Sequence, residues 1–517
     1  MRLLLVNLTR FGDLVQSQVC ITGLAEQGFE VHLAVLDNFS QAARLLRGVT
    51  SIRPVPGSRF LFTPGADWRQ GLAEFWRFAD SLEREVAPEV VANITPSLPG
   101  RLLARRFEAA RQVGLGLDAE GFARDESPWA AFLQTASRHR GTSPFNVADI
   151  FCRVAGLPAP GRPRVLSLAQ PEEAVRLKAE ELLREAPEAP GGLVALQLGA
   201  SEDRRRWPLE YFARLGGLLW EKCAALPVLL GGPDETRLAE RYAVLAGHPH
   251  LSLVGRTTLP ELAAVLGLVR LLVSNDTGTM HLAAGMGAPV LAVFLCTAQA
   301  FDTGPYQPGA LCLEPDMVCH PCAFGAACAH DEACRRAIGP EGVFSAAAAR
   351  LAGPRWGDAP PPGSRAWITG HDTSGYLALD RLGGGMDDRQ AWLLTQRAFY
   401  RQFLDGARAP ALDGLPPLSG EARAALAATL AEACTVLALL CSQGALLIHS
   451  PRPALKTKFL AYWQRLTALL QADPRLAPLG WLLAGQGEEQ GGRLPEFLAL
   501  LERYRDGLGA LARHIGQ

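Results

Sequence analysis

Residues 274–294 read SNDTGTMHLAAGMGAPVLAVF and hold the densest group of side chains able to do chemistry. An apolar run ends at Ser274, Asn275 and Asp276, and a helical pattern starts near Thr277 to Met280. That strand-to-helix junction sets a carboxylate (Asp276), two hydroxyls (Thr277, Thr279), a glycine (Gly278) and an imidazole (His281) at one sheet edge. Ligands of open α/β sheets bind at the carboxyl ends of the strands. The free N–H groups of a helix start, with neighbouring hydroxyls, suit a diphosphate. Gly278 permits close approach to the backbone. The competing interpretation makes Asp276 and Thr277 helix caps and His281 a core histidine, and local sequence leaves both open.

A second acid, Asp13, follows the apolar run LLLVN (3–7) and the turn at Gly12. A carboxylate at the end of a first strand can act as a base, or it can cap the first helix.

These groups need a scaffold. The first half alternates short buried runs (3–7, 30–35, 51–55, 90–94) with helical patterns, as βαβ units do. LPAPGRP (157–163) reads as a linker. A second series then begins, with strands expected at 193–199, 226–232, 251–255, 271–276 and 289–294 and helices at 209–223, 236–246 and 259–266. The expectation is two doubly wound Rossmann-like lobes, 1–160 and 161–352, facing a cleft. Residues 353–375 read as a linker, and 376–517 as an all-α extension with helices near 389–404, 420–440, 454–472 and 494–514.

Bulk properties narrow the field. Lys plus Arg number 51 against 52 Asp plus Glu, so no global charge draws the chain to nucleic acid. The first apolar run stops at Asn7, too short for a secretory or membrane segment, and later runs are interrupted within helix or strand lengths. No transmembrane segment is expected. A cytoplasmic placement is expected, with any membrane contact peripheral.

Four stretches, taken in order, resemble glycosyltransferase family 9, the ADP-heptose heptosyltransferases. They are LLLVNLTRFGDLVQS (3–17), LQLGASEDRRRWPLEYFARL (196–215), LLGGPDETRLAE (229–240) and NDTGTMHLAAGMGAPVLAVF (275–294) followed by TGPY (303–306). The resemblance implies a GT-B fold and inverting, single-displacement transfer from a nucleotide-diphosphate sugar, with no cofactor or required metal. No DxD pair stands near the motifs. It implies Asp13 as catalytic base and Ser201 and Arg205 as holders of the donor phosphates. Arg204 and Arg206 leave the choice of arginine open. Glu235, or Asp234 beside it, aligns with the acid that meets the nucleotide ribose. Asp276, Thr277, Gly278 and His281 carry over as donor-site residues. The implied partners are a nucleotide sugar and a lipopolysaccharide-core, glycolipid or other glycan acceptor.

Two features depart from the pattern. Cys296–Thr297–Ala298 stands where many relatives have a Gly-Pro-Thr-like turn, and the helical extension exceeds the family's needs. Cys319, Cys322, Cys328 and Cys334 have C-x2-C-x5-C-x5-C spacing, which is not that of a standard zinc ribbon. Loop cysteines without metal are expected; a disulfide, or a zinc or iron–sulfur site on these four, are the alternatives. Residues 451–466 mix Arg452, Lys456, Lys458 and Arg465 with Phe459, Tyr462 and Trp463, the composition of an interfacial helix or of an exposed helix with an aromatic core face. Two other functions fit the same scaffold: a sugar-nucleotide epimerase, and a non-catalytic scaffold for glycan assembly.

Overall fold

The computed structural model describes residues 1–57, 67–323, 325–490 and 493–516. The chain forms two compact units. The first comprises Met1–Val113 and Phe145–Gly384, and the second Gly114–Pro144 and Gly385–Gln517.

The first unit contains both expected α/β lobes. Its first sheet uses β1 (Arg2–Asn7), β2 (Glu30–Leu36), β3 (Val49–Val55), β4 (Val90–Asn93) and β5 (Arg111–Leu117), in the order β3-β2-β1-β4-β5. β1 lies parallel between β2 and β4. Leu3, Leu4, Leu5 and Val6 are all buried, because helices cover both faces of a parallel sheet and a central strand must then be apolar throughout. β5 runs past Val113 into the second unit, where its end pairs antiparallel with β6 (Ala123–Asp125).

The second sheet uses β7 (Leu193–Gln197), β8 (Leu226–Leu230), β9 (Leu251–Ser252), β10 (Leu271–Asn275), β11 (Val290–Val293), β12 (Leu311–Pro315), β13 (Ser364–His371) and β14 (Leu377–Arg381). Their order is β14-β13-β12-β11-β10-β7-β8-β9. The chain proceeds outward from β7 on one side and from β10 on the other, so the switch point lies between these parallel neighbours. A crevice opens there beyond the carboxyl ends of the strands. Val194, Leu196, Trp207, Phe212, Leu271, Val273, Leu291 and Val293 form the core beneath it.

The structure corrects three expectations of layout. Residues 353–375 are not a linker throughout: β13 pairs antiparallel with β12, burying Ala366 and Trp367, and β14 completes the hairpin. The Pro-rich run at 360–362 disguises a sheet edge. The helical part therefore starts later than 376, at the Asp388–Leu404 helix. It also takes residues 114–144, which had been assigned to the first lobe.

Within the second unit the helix Pro128–Arg138 is held by residues distant in sequence. Trp129 Nε1 donates to Asp405 Oδ1 at 2.7 Å, and His139 stacks on Trp481 with centroids 3.7 Å apart. The other helices are Gly420–His449, Pro453–Ala472, Ala477–Gln490 and Leu494–Gly516. Gly420–His449 extends beyond the expected 440, because Ser442, Gln443 and Gly444 do not interrupt it. Among the described residues it alone is long and apolar enough to cross a membrane by length and composition, and a third of its most apolar stretch is buried in the bundle.

Candidate functional site

The turns that follow β7 and β10 are locked together before any side chain reaches the crevice. Asn275, last residue of β10 and fully buried, donates from Nδ2 to the carbonyl of Gly199 at 2.9 Å and accepts from the Trp207 N–H at 2.9 Å. Trp207 is buried in the core and donates from Nε1 to Ile338 O at 2.9 Å. The Trp-Pro anchor thus fixes the register of the short 3-10 turn Asp203–Arg205.

That register selects one of the three arginines. Arg205 is buried, donating to Ser201 Oγ at 3.1 Å and to the Asp276 carboxylate. Arg204 turns to Glu202 at 2.9 Å and to the carbonyl of Ala326 at 2.9 Å, and Arg206 pairs with Asp203. Thr303, from the TGPY stretch, also donates to Asp276, at 3.4 Å. The Nε of Arg205 is buried without a partner, an arrangement that a further anionic group would satisfy.

The helix Gly278–Met286 begins beside this pair. Thr277 occupies its N-cap in extended conformation, but its side chain makes no capping bond and meets Ser274 Oγ at 3.2 Å instead. The capping interpretation of Thr277 is therefore not what the structure shows. His281, one turn in, is buried, with Nδ1 unpartnered. Burial pushes its pKa down to about 4 against the opposing pull of Asp276, so the ring is neutral near pH 7.

From the first lobe, the turn of Phe11 and Gly12 reaches this helix start. A methyl group at Gly12 would lie 3.2 Å from His281 Cδ2 and 3.3 Å from Gly278 Cα. One at Gly278 would overlap the Phe11 ring. Two glycines therefore let the segments meet, and Asp13 stands next to that contact, half-buried in the Phe11–Gln16 helix. The N-cap of that helix is Arg10, so Asp13 sits inside the first turn rather than capping it.

Glu235 lies farther along the crevice. Its Oε2 accepts from Gly232 N at 2.9 Å and Gln197 Nε2 at 3.1 Å, and the carboxylate packs against Gly199 and Gly231. Asp234 is exposed. The structure thus brings Ser201, Arg205, Asp276, Thr277, Gly278 and His281 together, with Asp13 next to Gly12 in the adjoining turn and Glu235 flanking β7.

Sequence reasoning missed the residues that hold this frame. Besides Asn275, the TGPY stretch is fastened to the first lobe: Asn146 Nδ2 donates to Gly304 O at 2.9 Å, and Tyr306 Oη donates to Asp149 Oδ1 at 2.7 Å. A polar residue ending an otherwise apolar strand was the available signal for Asn275. Nothing local marked Asp149.

Among the cysteines, Cys319 and Cys322 are half-buried, Cys328 exposed and Cys334 buried, and all are free thiols. Cys322 N donates to Cys296 O at 2.8 Å, and burial beside Cys296 pushes the Cys322 thiol up to about 12. Cys328 Sγ accepts from the N–H groups of His330 and Glu332, each at 3.4 Å. His320 is occupied by Ala298 O and Arg365. Among the described residues no three His, Cys, Asp or Glu side chains are grouped to hold a metal ion. Cys296 itself adopts φ 59°, a left-handed conformation that glycine takes up more readily than cysteine.

Comparison with known proteins points to a family of glycosyltransferases. Residues 120–331 match Glycosyltransferase family 9 (heptosyltransferase). The chain is 28% identical over 333 residues to lipopolysaccharide heptosyltransferase 1 of Pseudomonas aeruginosa, covering 62% of this chain and 86% of that protein. Against its counterpart in Escherichia coli K12 the figures are 24% over 320 residues, 60% and 89%. The fold is shared with a family 9 glycosyltransferase from Veillonella parvula (TM-score 0.53, 18% identity, 68% of this chain and 97% of that one). It is shared equally with E. coli ADP-heptose lps heptosyltransferase II (TM-score 0.52, 15% identity, 68% and 99%). The fold is that of the GT-B glycosyltransferases. Over residues 120–331 the chain is similar to glycosyltransferase family 9, the heptosyltransferase family.

Proposed function

We propose that the enzyme transfers a heptose, or a related sugar, from a nucleotide-diphosphate donor, with ADP-heptose the first candidate, to a lipopolysaccharide-core or other surface-glycan acceptor. One observation carries this reading: a buried arginine, an acid and an uncapped helix start meet at the switch point of the second sheet, opposite the turn bearing Asp13. Relatives named as lipopolysaccharide heptosyltransferases support the sugar and the acceptor class.

In this mechanism the N–H groups of Gly278 and Thr279, with Ser201 and Arg205, bind the donor diphosphate. Asp276 orients Arg205 and meets donor hydroxyls. The Asp13 carboxylate takes the proton of the acceptor hydroxyl as its oxygen attacks the anomeric carbon. The anomeric carbon–oxygen bond to phosphate breaks with inversion, and the nucleoside diphosphate leaves with the electron pair. Arg205 and the helix start stabilise the charge that grows on the leaving phosphate. Neutral His281 packs against the turn at Gly12 and adds no competing charge. Glu235 accepts ribose hydroxyls through the oxygen not used for capping. Such a reaction, at the inner face of the inner membrane, requires no cofactor from this chain.

Calorimetric titration with ADP-heptose, ADP, UDP and GDP tests the donor, using wild type, Asp276→Asn and Asp13→Asn. Adenine-selective binding, weakened in Asp276→Asn and retained in Asp13→Asn, together with loss of transfer in Asp13→Asn, is the expected pattern. Preference for UDP or GDP overturns the heptose assignment. Turnover of donor to free sugar without an acceptor would favour the epimerase.

A further inference from the structure

From Ala433 to Ala472 the chain has no Asp or Glu, yet it carries Arg452, Lys456, Lys458 and Arg465. Lys178, Lys222, Lys456 and Lys458 are all the lysines of the protein, so half of them lie in this stretch. It covers most of an antiparallel helical hairpin, Gly420–His449 and Pro453–Ala472.

One face of the first helix is committed to the bundle. Leu426, Leu430, Ala433, Leu437, Leu440 and Leu447 are buried, and Gly444 admits the side chains of Leu498 and Phe459. The other face should be charged if it met only water. Instead no ionisable carboxylate or cation stands between Glu432 and His449, and Leu439, Leu446 and Ile448 are 41%, 50% and 48% exposed. On the second helix Leu460 is 45% exposed with Lys456 one turn before it, and Lys458 is exposed on another side of the same helix.

An ion pair fixes which side these residues share. Arg465 contacts Glu432 at 2.7 Å across the hairpin. A helix returns to nearly the same face every seven residues. Leu439 and Leu446 therefore emerge on the side marked by Glu432, and Lys458 on the side marked by Arg465. Lys458 Nζ lies 5.9 Å from the Tyr462 ring centroid, so an aromatic of amphipathic character accompanies the cation.

We propose that this hairpin docks side-on against an anionic lipid surface. Leu439 and Leu446 enter the boundary between headgroups and acyl chains, and Lys458 on the same side meets lipid phosphates. The charge pattern selects this occupant. A second copy of the same face would oppose cation to cation. A membrane crossing would strip the buried face of Gly420–His449 from its bundle partners. The proposal stands apart from the sugar-transfer reading, since it uses only residues of the second unit.

The test is co-sedimentation of the full-length protein with vesicles of equimolar phosphatidylcholine and phosphatidylglycerol, or of phosphatidylcholine alone, at low and high salt. Wild type should pellet with the anionic vesicles, release at high salt, and stay in solution with phosphatidylcholine alone. Lys458→Glu should weaken partitioning roughly thirtyfold. Leu439→Ser/Leu446→Ser should weaken it about tenfold. Both variants alter exposed positions and should keep the wild-type melting temperature. Wild type remaining in solution with both vesicles overturns the proposal, as does equal pelleting with both, or charge-reversed protein that binds like wild type. Self-association of wild type, lost in the leucine variant without vesicle binding, would assign the face to a second copy and overturn it too.

Discussion

Arg205 donates to the Asp276 carboxylate across 71 residues of sequence, and both side chains are only 9% exposed. The contact joins the turn after β7 to the end of β10. It holds a cation at the switch point of the second sheet even before a ligand arrives. A buried ion pair of this kind is weak evidence for stability, because the desolvation cost offsets much of the attraction. Its better-supported consequence is position: the guanidinium is preset where leaving-group charge would form.

Removing one partner is therefore the severe change. Arg205→Ala leaves the Asp276 carboxylate uncompensated and should cost about 3–5 kcal/mol in urea unfolding. Arg205→Lys keeps the charge but loses the fork that reaches Ser201 and Asp276 together. It should fold, and show at least a tenfold weaker nucleotide Kd by calorimetry. An unchanged Kd in Arg205→Lys would remove Arg205 from the donor site.

Gly278→Ala tests the meeting of the two lobes. Its methyl would overlap the Phe11 ring and press on Gly12 N at 3.3 Å. Helix propensity favours alanine by at most about 1 kcal/mol against an overpacking cost of about 1–3 kcal/mol, so stability should fall by no more than about 3 kcal/mol. Displacing the turn by a fraction of an ångström should nevertheless lower kcat/KM by about tenfold to a hundredfold. Steady-state transfer assays alongside thermal melts separate the two effects.

At Gly199 the constraint is tighter. A methyl there would occupy the space of Glu235 Oε1, so Gly199→Ala must expel the carboxylate. Gly232 N–H and Gln197 would lose their acceptor. Nucleotide affinity should fall more in Gly199→Ala than in Glu235→Gln, which keeps the shape. Equal affinities would show that Glu235 acts only as a cap for its own helix.

His281 sets a pH dependence whose sign follows from its burial. Above about pH 6.5 the ring is neutral in folded and unfolded chains and contributes no slope. As pH falls from there to about 4, the unfolded chain takes up a proton that the folded one refuses. Stability should drop by about 3 kcal/mol over that window and level off below it. Urea unfolding of wild type and His281→Gln across the window should show a shallower fall in the variant.

Asp149 accepts from Tyr306 Oη at 2.7 Å and from Leu377 N at 3.0 Å. Asp149→Asn offers one acceptor oxygen in place of two, leaving a buried donor badly matched. A loss of about 1–3 kcal/mol in chemical unfolding is expected. Catalysis by the folded fraction should persist, since Asp149 reaches no ligand position.

Much of this was legible because buried strands must be apolar and helices must repeat. The helices Leu209–Cys223 and Leu259–Leu266 fall where periodicity puts them, and β7, β8 and β10 sit inside the expected runs. β12 escaped notice because a buried Glu314 and a proline break its apolar run, and its partners, the Ala300 and Trp367 N–H donors and the Arg365 cation 4.0 Å away, come from elsewhere in the chain. β13 escaped for a related reason: it is stabilised by pairing with β12, not by its own pattern. At the site, residue types pointed to the right segments. Which of Arg204, Arg205 and Arg206 faces Asp276 depends on Trp207 being anchored by Asn275 and Ile338, contacts that no local window contains.

The helical unit is assembled from two separated stretches, and the backbone crosses its boundary three times, after Val113, Pro144 and Gly384. It is therefore no detachable tail. A stop codon after Gly384 would leave Trp129 without Asp405 and His139 without Trp481, exposing a helix that was built to be covered. A protease cutting any single crossing would nick the molecule without releasing either part. Minimal versions of the enzyme must remove residues 114–144 as well and rejoin the ends, or keep the whole chain.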